Sequence, residues 1–139
     1  MQLKISPTLR ISDIQNEFNK MFPFLKLEFF NPRNYSKQKH SASSIIPSNK
    51  LVGDIQRAVT DGSIEIDANI KVGDLEKQFQ EQFSLAVQVF RKSGPVWLET
   101  TMTDNWTLKQ QNQHGTELSN YIPFKREEKD YDLNRDNDR

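Results

Sequence analysis

The apolar residues of this chain occur twice in the same order. Leu3 and Ile5 match Ile64 and Ile66, and Leu9, Arg10 and Ile11 match Ile70, Lys71 and Val72. Asp13-Ile14 matches Asp74-Leu75, Phe18 matches Phe79, and Phe22 matches Phe83. After an extra residue in the first copy, Leu25, Leu27, Phe29 and Phe30 match Leu85, Val87, Val89 and Phe90. Two copies of a strand–helix–strand unit, at 2–30 and 63–90, are the expected result.

Periodicity assigns the elements. Leu3/Ile5, Ile64/Ile66, Leu25/Leu27/Phe29 and Leu85/Val87/Val89 alternate with other residues, as half-buried strands do. Ile11, Ile14, Phe18 and Phe22 recur at helical steps, as do Val72, Leu75, Phe79 and Phe83, giving each helix one apolar stripe. Ser12, Gly53, Gly73 and Thr107 each stand three residues before Gln or Glu, which predicts helix N-caps at those positions. Gly62 and Gly115 suit the ends of two short helices, and Pro23 stops the first long one. Further strands are expected near 41–46, 96–101 and 118–124.

The resulting expectation is an α+β fold of two tandem βαββα-type repeats, 1–60 and 61–124, the second including a closing strand. Each β-α-β step predicts a right-handed crossover with the helices on one sheet face and the polar face open. Residues 125–139 carry many charges and almost no apolar side chains, which predicts a disordered tail.

Residues 70–90, followed by Asp104-Asn-Trp-Thr-Leu108, resemble the unit of small uncharacterised bacterial proteins built from a tandem strand–helix–strand repeat. The likeness covers mainly 63–115 and, more weakly, 2–60. It implies a shared fold and a bacterial origin, and it supplies no activity or site.

Composition narrows the chemistry. The 139-residue chain has no cysteine, which removes disulfides, thiolate metal ligation and thiol nucleophiles. Nineteen basic residues balance nineteen acidic ones, so no overall charge draws it to a polyanion. No long apolar run suggests a leader or a membrane span, and a cytoplasmic protein is expected. His40 and His114 sit in no ligand motif, the glycines form no phosphate-binding loop, and Asp13, Asp54 and Asp74 read as first-turn residues favoured by the helix dipole. No cofactor, metal or catalytic set is expected, and the chain reads as a non-enzyme.

The remaining candidates are surface residues. Arg33, Tyr35, Lys37 and Lys39 form a basic loop with an aromatic and no acid. Phe30 and Phe90 fall on the polar side of their strands' alternation, and Trp97 follows Gly94-Pro95. Together with Arg91 and Lys92 they suggest an interaction surface for a protein partner or for self-association. The alternative is a nucleic-acid-associated protein, because cations interleaved with aromatics suit single strands.

Overall fold

A computed structural model describes residues 1–31 and 45–120, with side chains described through 118. The order is β1 (Gln2–Ile5), α1 (Ile11–Met21), β2 (Leu25–Phe30), α2 (Val52–Ile55), β3 (Gly62–Glu65), α3 (Val72–Phe83), β4 (Ala86–Ser93), β5 (Val96–Glu99), a 3-10 turn (Thr101–Thr103) and α4 (Leu108–Asn120). The fold is α+β, with two antiparallel sheets.

The sheets are assembled differently from the expected crossover. β1 pairs with β3, and β2 pairs with β4, which in turn pairs with β5. β1 and β2 therefore lie in separate sheets, and no parallel β-α-β step joins them. The segments expected as equivalent strands lie against each other: Leu3 opposes Ile64, and Glu28 opposes Gln88. Each pair shares one apolar face. Leu3, Ile5, Ile64 and Ile66 are buried from one sheet, and Leu25, Leu27, Phe29, Val87 and Val89 from the other.

The stripes on α1 and α3 close over these faces. Ile11, Ile14, Phe18, Val72, Leu75 and Phe79 are 0–1% exposed and belong to one core with the strand residues. Phe79 meets Phe29 edge-on at 5.9 Å, an arrangement favoured by the ring quadrupoles. Truncating a buried phenylalanine such as Phe18 costs about 3–5 kcal/mol, through lost transfer energy and the cavity left behind.

The helix starts lie up to two residues earlier than the caps expected at Ser12, Gly53 and Gly73. α1, α2 and α3 follow Arg10, Leu51 and Lys71, none with a side-chain cap bond. Backbone carbonyls from elsewhere take the first donors instead. Ile11 and Ser12 donate to Lys50 and Ser48, while Val52 and Gly53 donate back to Leu9 and Pro7, at 2.9–3.0 Å. Val72 and Gly73 donate to Trp106 and Asp104, and Leu108 and Lys109 return bonds to Ile70 and Ala68, at 2.7–2.9 Å. With the orphan donors satisfied in tertiary structure, no Ser or Gly cap is required. Gly53 has a packing reason, since a Cβ there would lie 3.0 Å from Pro7. Asp13 keeps a local role, accepting the Arg10 N–H at 2.9 Å. The Thr107 cap is present, with Gln110 N–H on its Oγ1 at 3.1 Å and its own N–H on Gln110 Oε1 at 2.9 Å.

The C-terminal part of the described chain also differs. α4 continues through Gly115 to Asn120, where a helix end and then a strand at 118–124 are expected. The Gly115 backbone packs so closely on Phe24, Arg91 and Lys92 that a Cβ would come within 2.9–3.3 Å of them. Contact with the sheet, not a left-handed turn, is what the glycine provides. Gly62 opens β3 and ends no helix. α1 does end before Pro23, at Met21. Of the strand expected at 41–46, Ile45 bridges to Phe30 and Ile46 N–H donates to the Phe29 carbonyl at 2.8 Å. Residues 41–44, 121–124 and the 125–139 tail lie outside the described residues.

Candidate interaction surface

The three-stranded sheet has a second face, turned away from its apolar side. Register and alternation place Lys26 and Glu28 of β2, Phe90 and Lys92 of β4, and Trp97 and Glu99 of β5 on it. Lys26 opposes Phe90, which opposes Glu99, and Lys92 opposes Trp97. Phe30, Ala86 and Gln88 lie on the same face but are 1%, 5% and 0% exposed. The face expected to be open is therefore covered at that end and accessible toward the β4–β5 turn. Gly94 makes that turn with φ +59°, a backbone conformation that glycine adopts at low cost.

Trp97 is the centre of the accessible part. Lys26 Nζ stands 5.0 Å from its ring centroid and Lys92 Nζ 5.9 Å. Each contact contributes about 0.5–1 kcal/mol at a partly exposed site, so both cations help to hold the indole in place. Glu28 holds Lys26 from the other side at 2.9 Å. On the opposite face of β5, Val96 and Leu98 are 51% and 43% exposed, and Met102, past the strand, is 94% exposed. Exposed apolar side chains on a strand that also presents a cation-flanked indole suit a contact surface.

The sequence-predicted residues divide. Phe90, Lys92 and Trp97 share the accessible face. Phe30 is buried, so as an exposed anchor it is corrected. Arg91 is also corrected, because the alternation that turns Lys92 outward turns it toward α4. Its Nη1 donates to Gln111 Oε1 at 2.8 Å, and burial pulls its guanidinium below the ordinary arginine value. Gln111, itself fully buried, donates onward to the Thr103 carbonyl and hydroxyl at 2.8 and 2.7 Å. Arg33, Tyr35, Lys37 and Lys39 lie outside the described residues. Sequence reasoning missed Lys26 on this face, and it did not mark Leu98 and Met102 as exposed.

β4 has a finished edge beyond β5. The Val89 N–H donates to Glu76 Oε2 at 3.0 Å, and the Val89 carbonyl accepts from Thr100 Oγ1 at 2.8 Å. Gln88 Nε2 donates to Thr101 Oγ1 at 2.7 Å. Side chains thus take over the pairing where the chain leaves the sheet.

Other concave regions offer less chemistry. A groove of about 780 Å³ between β1 and α1 is lined by Gln2, Lys4, Leu9, Asp13, Asn16 and Glu17. Its carboxylates are engaged, Asp13 with the Arg10 N–H and Glu17 with Lys20 at 3.0 Å. His114 lies edge-on to Trp106 at 5.5 Å and 3.8 Å from Glu117. Among the described residues there is no group of three His, Asp or Glu placed to hold a metal ion, and no helix long and apolar enough to cross a membrane.

No family model, curated protein or solved structure matches the chain.

Proposed function

We propose that the chain is a non-enzymatic binding module that takes a protein partner on the β4–β5 end of its three-stranded sheet. The observation that carries this reading is Trp97. It is half-buried, with Lys26 and Lys92 Nζ 5.0 and 5.9 Å from its ring centroid and Val96 and Leu98 exposed on the other face of the same strand. A partly buried indole ringed by charged groups is the composition of an interface hot spot. A cytoplasmic, bacterial setting goes with it, in keeping with the cysteine-free sequence and the resemblance of its repeat.

The test is retention of a defined partner by tagged protein, with and without nuclease, followed by rebinding of the purified pair. Trp97→Ala should abolish rebinding while the variant stays folded, losing only about 1–2 kcal/mol of stability. Rebinding that ignores Trp97→Ala and Leu98→Lys would move the function elsewhere.

A second reading has its own support. Phe90 and Trp97 stand with Lys26 and Lys92 on one face of an antiparallel sheet, the combination on which unpaired bases stack. Glu28 and Glu99 on the same face oppose a phosphate backbone, which ranks this reading second. It requires affinity for single-stranded nucleic acid that falls steeply with salt. Salt-independent flow-through on a polyanion column would remove it.

A further inference from the structure

Backbone bonds recur at positions matched between the two halves of the described chain, 2–55 and 62–120. Ile11 and Ser12 donate to Lys50 and Ser48, and their matches Val72 and Gly73 donate to Trp106 and Asp104. Val52 and Gly53 donate to Leu9 and Pro7, while Leu108 and Lys109 donate to Ile70 and Ala68. The same correspondence relates the Arg10–Leu51 bridge to Lys71–Thr107, and Phe30–Ile45 to Phe90–Glu99. Matched strands then meet antiparallel, β1 on β3 and β2 on β4. Gln2 opposes Glu65 as Lys4 opposes Ser63, and Leu27 opposes Val89 as Phe29 opposes Val87. Residue i against j, with j against i, is the pattern of an isologous contact between two subunits about a two-fold axis.

We propose that the halves exchange between two copies of the chain, the first half of each pairing with the second half of the other. β1 and β2 lie in different sheets, and each takes its ladder from the second half. Among the described residues the first half has only isolated bridges of its own, so a second half must complete its strands. Nothing in those pairs requires that half to come from the same chain. In the exchanged dimer every pair of β1 with β3 and of β2 with β4 forms again with the second copy, as does the Phe29–Phe79 contact across the halves. Only the link between α2 and β3, residues 56–61, takes a new path. Buried Val59 and the bond from Gln56 Nε2 to the Ser84 carbonyl, at 3.1 Å, tie that link down in the single chain. Exchange therefore takes place as chains fold together, not by opening of the folded monomer. Glu28 governs which halves pair. It opposes Gln88, its match, whereas two first halves together set Glu28 against Glu28, a like-charge pair that antiparallel strands disfavour. The favoured product is a closed dimer of two chains.

The chain has no cysteine, so engineered pairs report on the pairing without interference. Lys4 and Ser63 are exposed and directly opposed, at a separation that a disulfide spans. The test takes the full chain as two variants, Lys4→Cys and Ser63→Cys, unfolded together in urea, refolded over about a hundredfold range of concentration and then oxidised. A disulfide-linked dimer of the two variants should rise with concentration and keep the circular dichroism of the monomer. Lys4→Cys with Glu65→Cys, placed diagonally across the strands, should link severalfold less. The double variant Lys4→Cys/Ser63→Cys should close within one chain, which checks both register and folding. Absence of the linked dimer at every concentration overturns the proposal, as does equal linking on and off register. A double variant that does not close removes the pairing on which exchange depends. No residue of the β4–β5 surface enters the test, so its failure leaves the binding-module reading standing.

Discussion

Gln111 is the side chain that fastens the β4–β5 hairpin to α4, and replacing it with leucine gives a quantitative test of that attachment. The amide accepts from Arg91 Nη1 at 2.8 Å and donates to the Thr103 carbonyl and hydroxyl at 2.8 and 2.7 Å. A hydrogen bond to a charged group is worth about 1.5–3 kcal/mol and each neutral one about 0.5–1.5 kcal/mol. The added apolar burial of leucine recovers about 1 kcal/mol. Arg91 is only partly buried and water reaches part of the guanidinium, which favours the lower end. Gln111→Leu should therefore cost about 2–4 kcal/mol, read as a lower urea midpoint at unchanged slope. Arg91→Met removes the cation that the leucine would orphan. In that background Gln111→Leu should cost about 1–2 kcal/mol less than in the wild type. Equal costs in both backgrounds, or a single-variant cost below about 1 kcal/mol, would refute the role given to Gln111.

Five further substitutions separate local from tertiary determinants. Thr107→Ala should lose about 1 kcal/mol in thermal or urea unfolding, as cap removal does, whereas Ser12→Ala should be nearly silent because carbonyls of 48–50 already satisfy that helix start. Gly115→Ala gains about 1 kcal/mol of helix propensity but forces its Cβ to 2.9 Å from Phe24, a clash that costs about 1–3 kcal/mol, so the melting temperature should fall. Phe79→Ala should cost about 3–5 kcal/mol and Trp97→Ala about 1–2 kcal/mol, by the same urea titration, because the first is fully buried while the second, at a sheet margin, loses mainly its two cation contacts.

Much of the architecture was legible because burial writes periodicity into sequence. The stripes Ile11/Ile14/Phe18 and Val72/Leu75/Phe79/Phe83 located α1 and α3, and strict alternation located β1 to β4. Which strands pair was not legible, since alternation marks a buried face and says nothing of the neighbour. Helix starts were misread for a related reason. Ser12, Gly53 and Gly73 have the composition of caps, but the donors they were to satisfy are met by carbonyls distant in sequence. Gly115 read as a stop because its contact with Phe24 and Lys92 exists only once the sheet is in place. At the site, Trp97 and Lys92 were visible as unburied residues. Arg91 was misplaced although a signal existed: Val87, Val89 and Arg91 share one parity, opposite to that of Phe90 and Lys92. Lys26 joins the site through cross-strand register, which no local pattern encodes.

The reciprocal helix starts bear on where function resides. α1 and α2 exchange backbone bonds, α3 and α4 exchange the corresponding ones, and the recurring strands pair with each other. These bonds commit the helix starts and the paired strands to holding the fold. Past Val89 the described chain adds a hairpin, an indole near two lysines, and a side-chain finish at Glu76 and Thr100 that releases the chain from the sheet. Among the described residues β5 pairs on one side only, with β4, and folded proteins ordinarily keep such strands short and charged. β5 is short and bears Glu99, yet Val96 and Leu98 stay exposed on it. Under the binding-module reading, charges beside exposed apolar groups on so short a strand favour selectivity over tight holding.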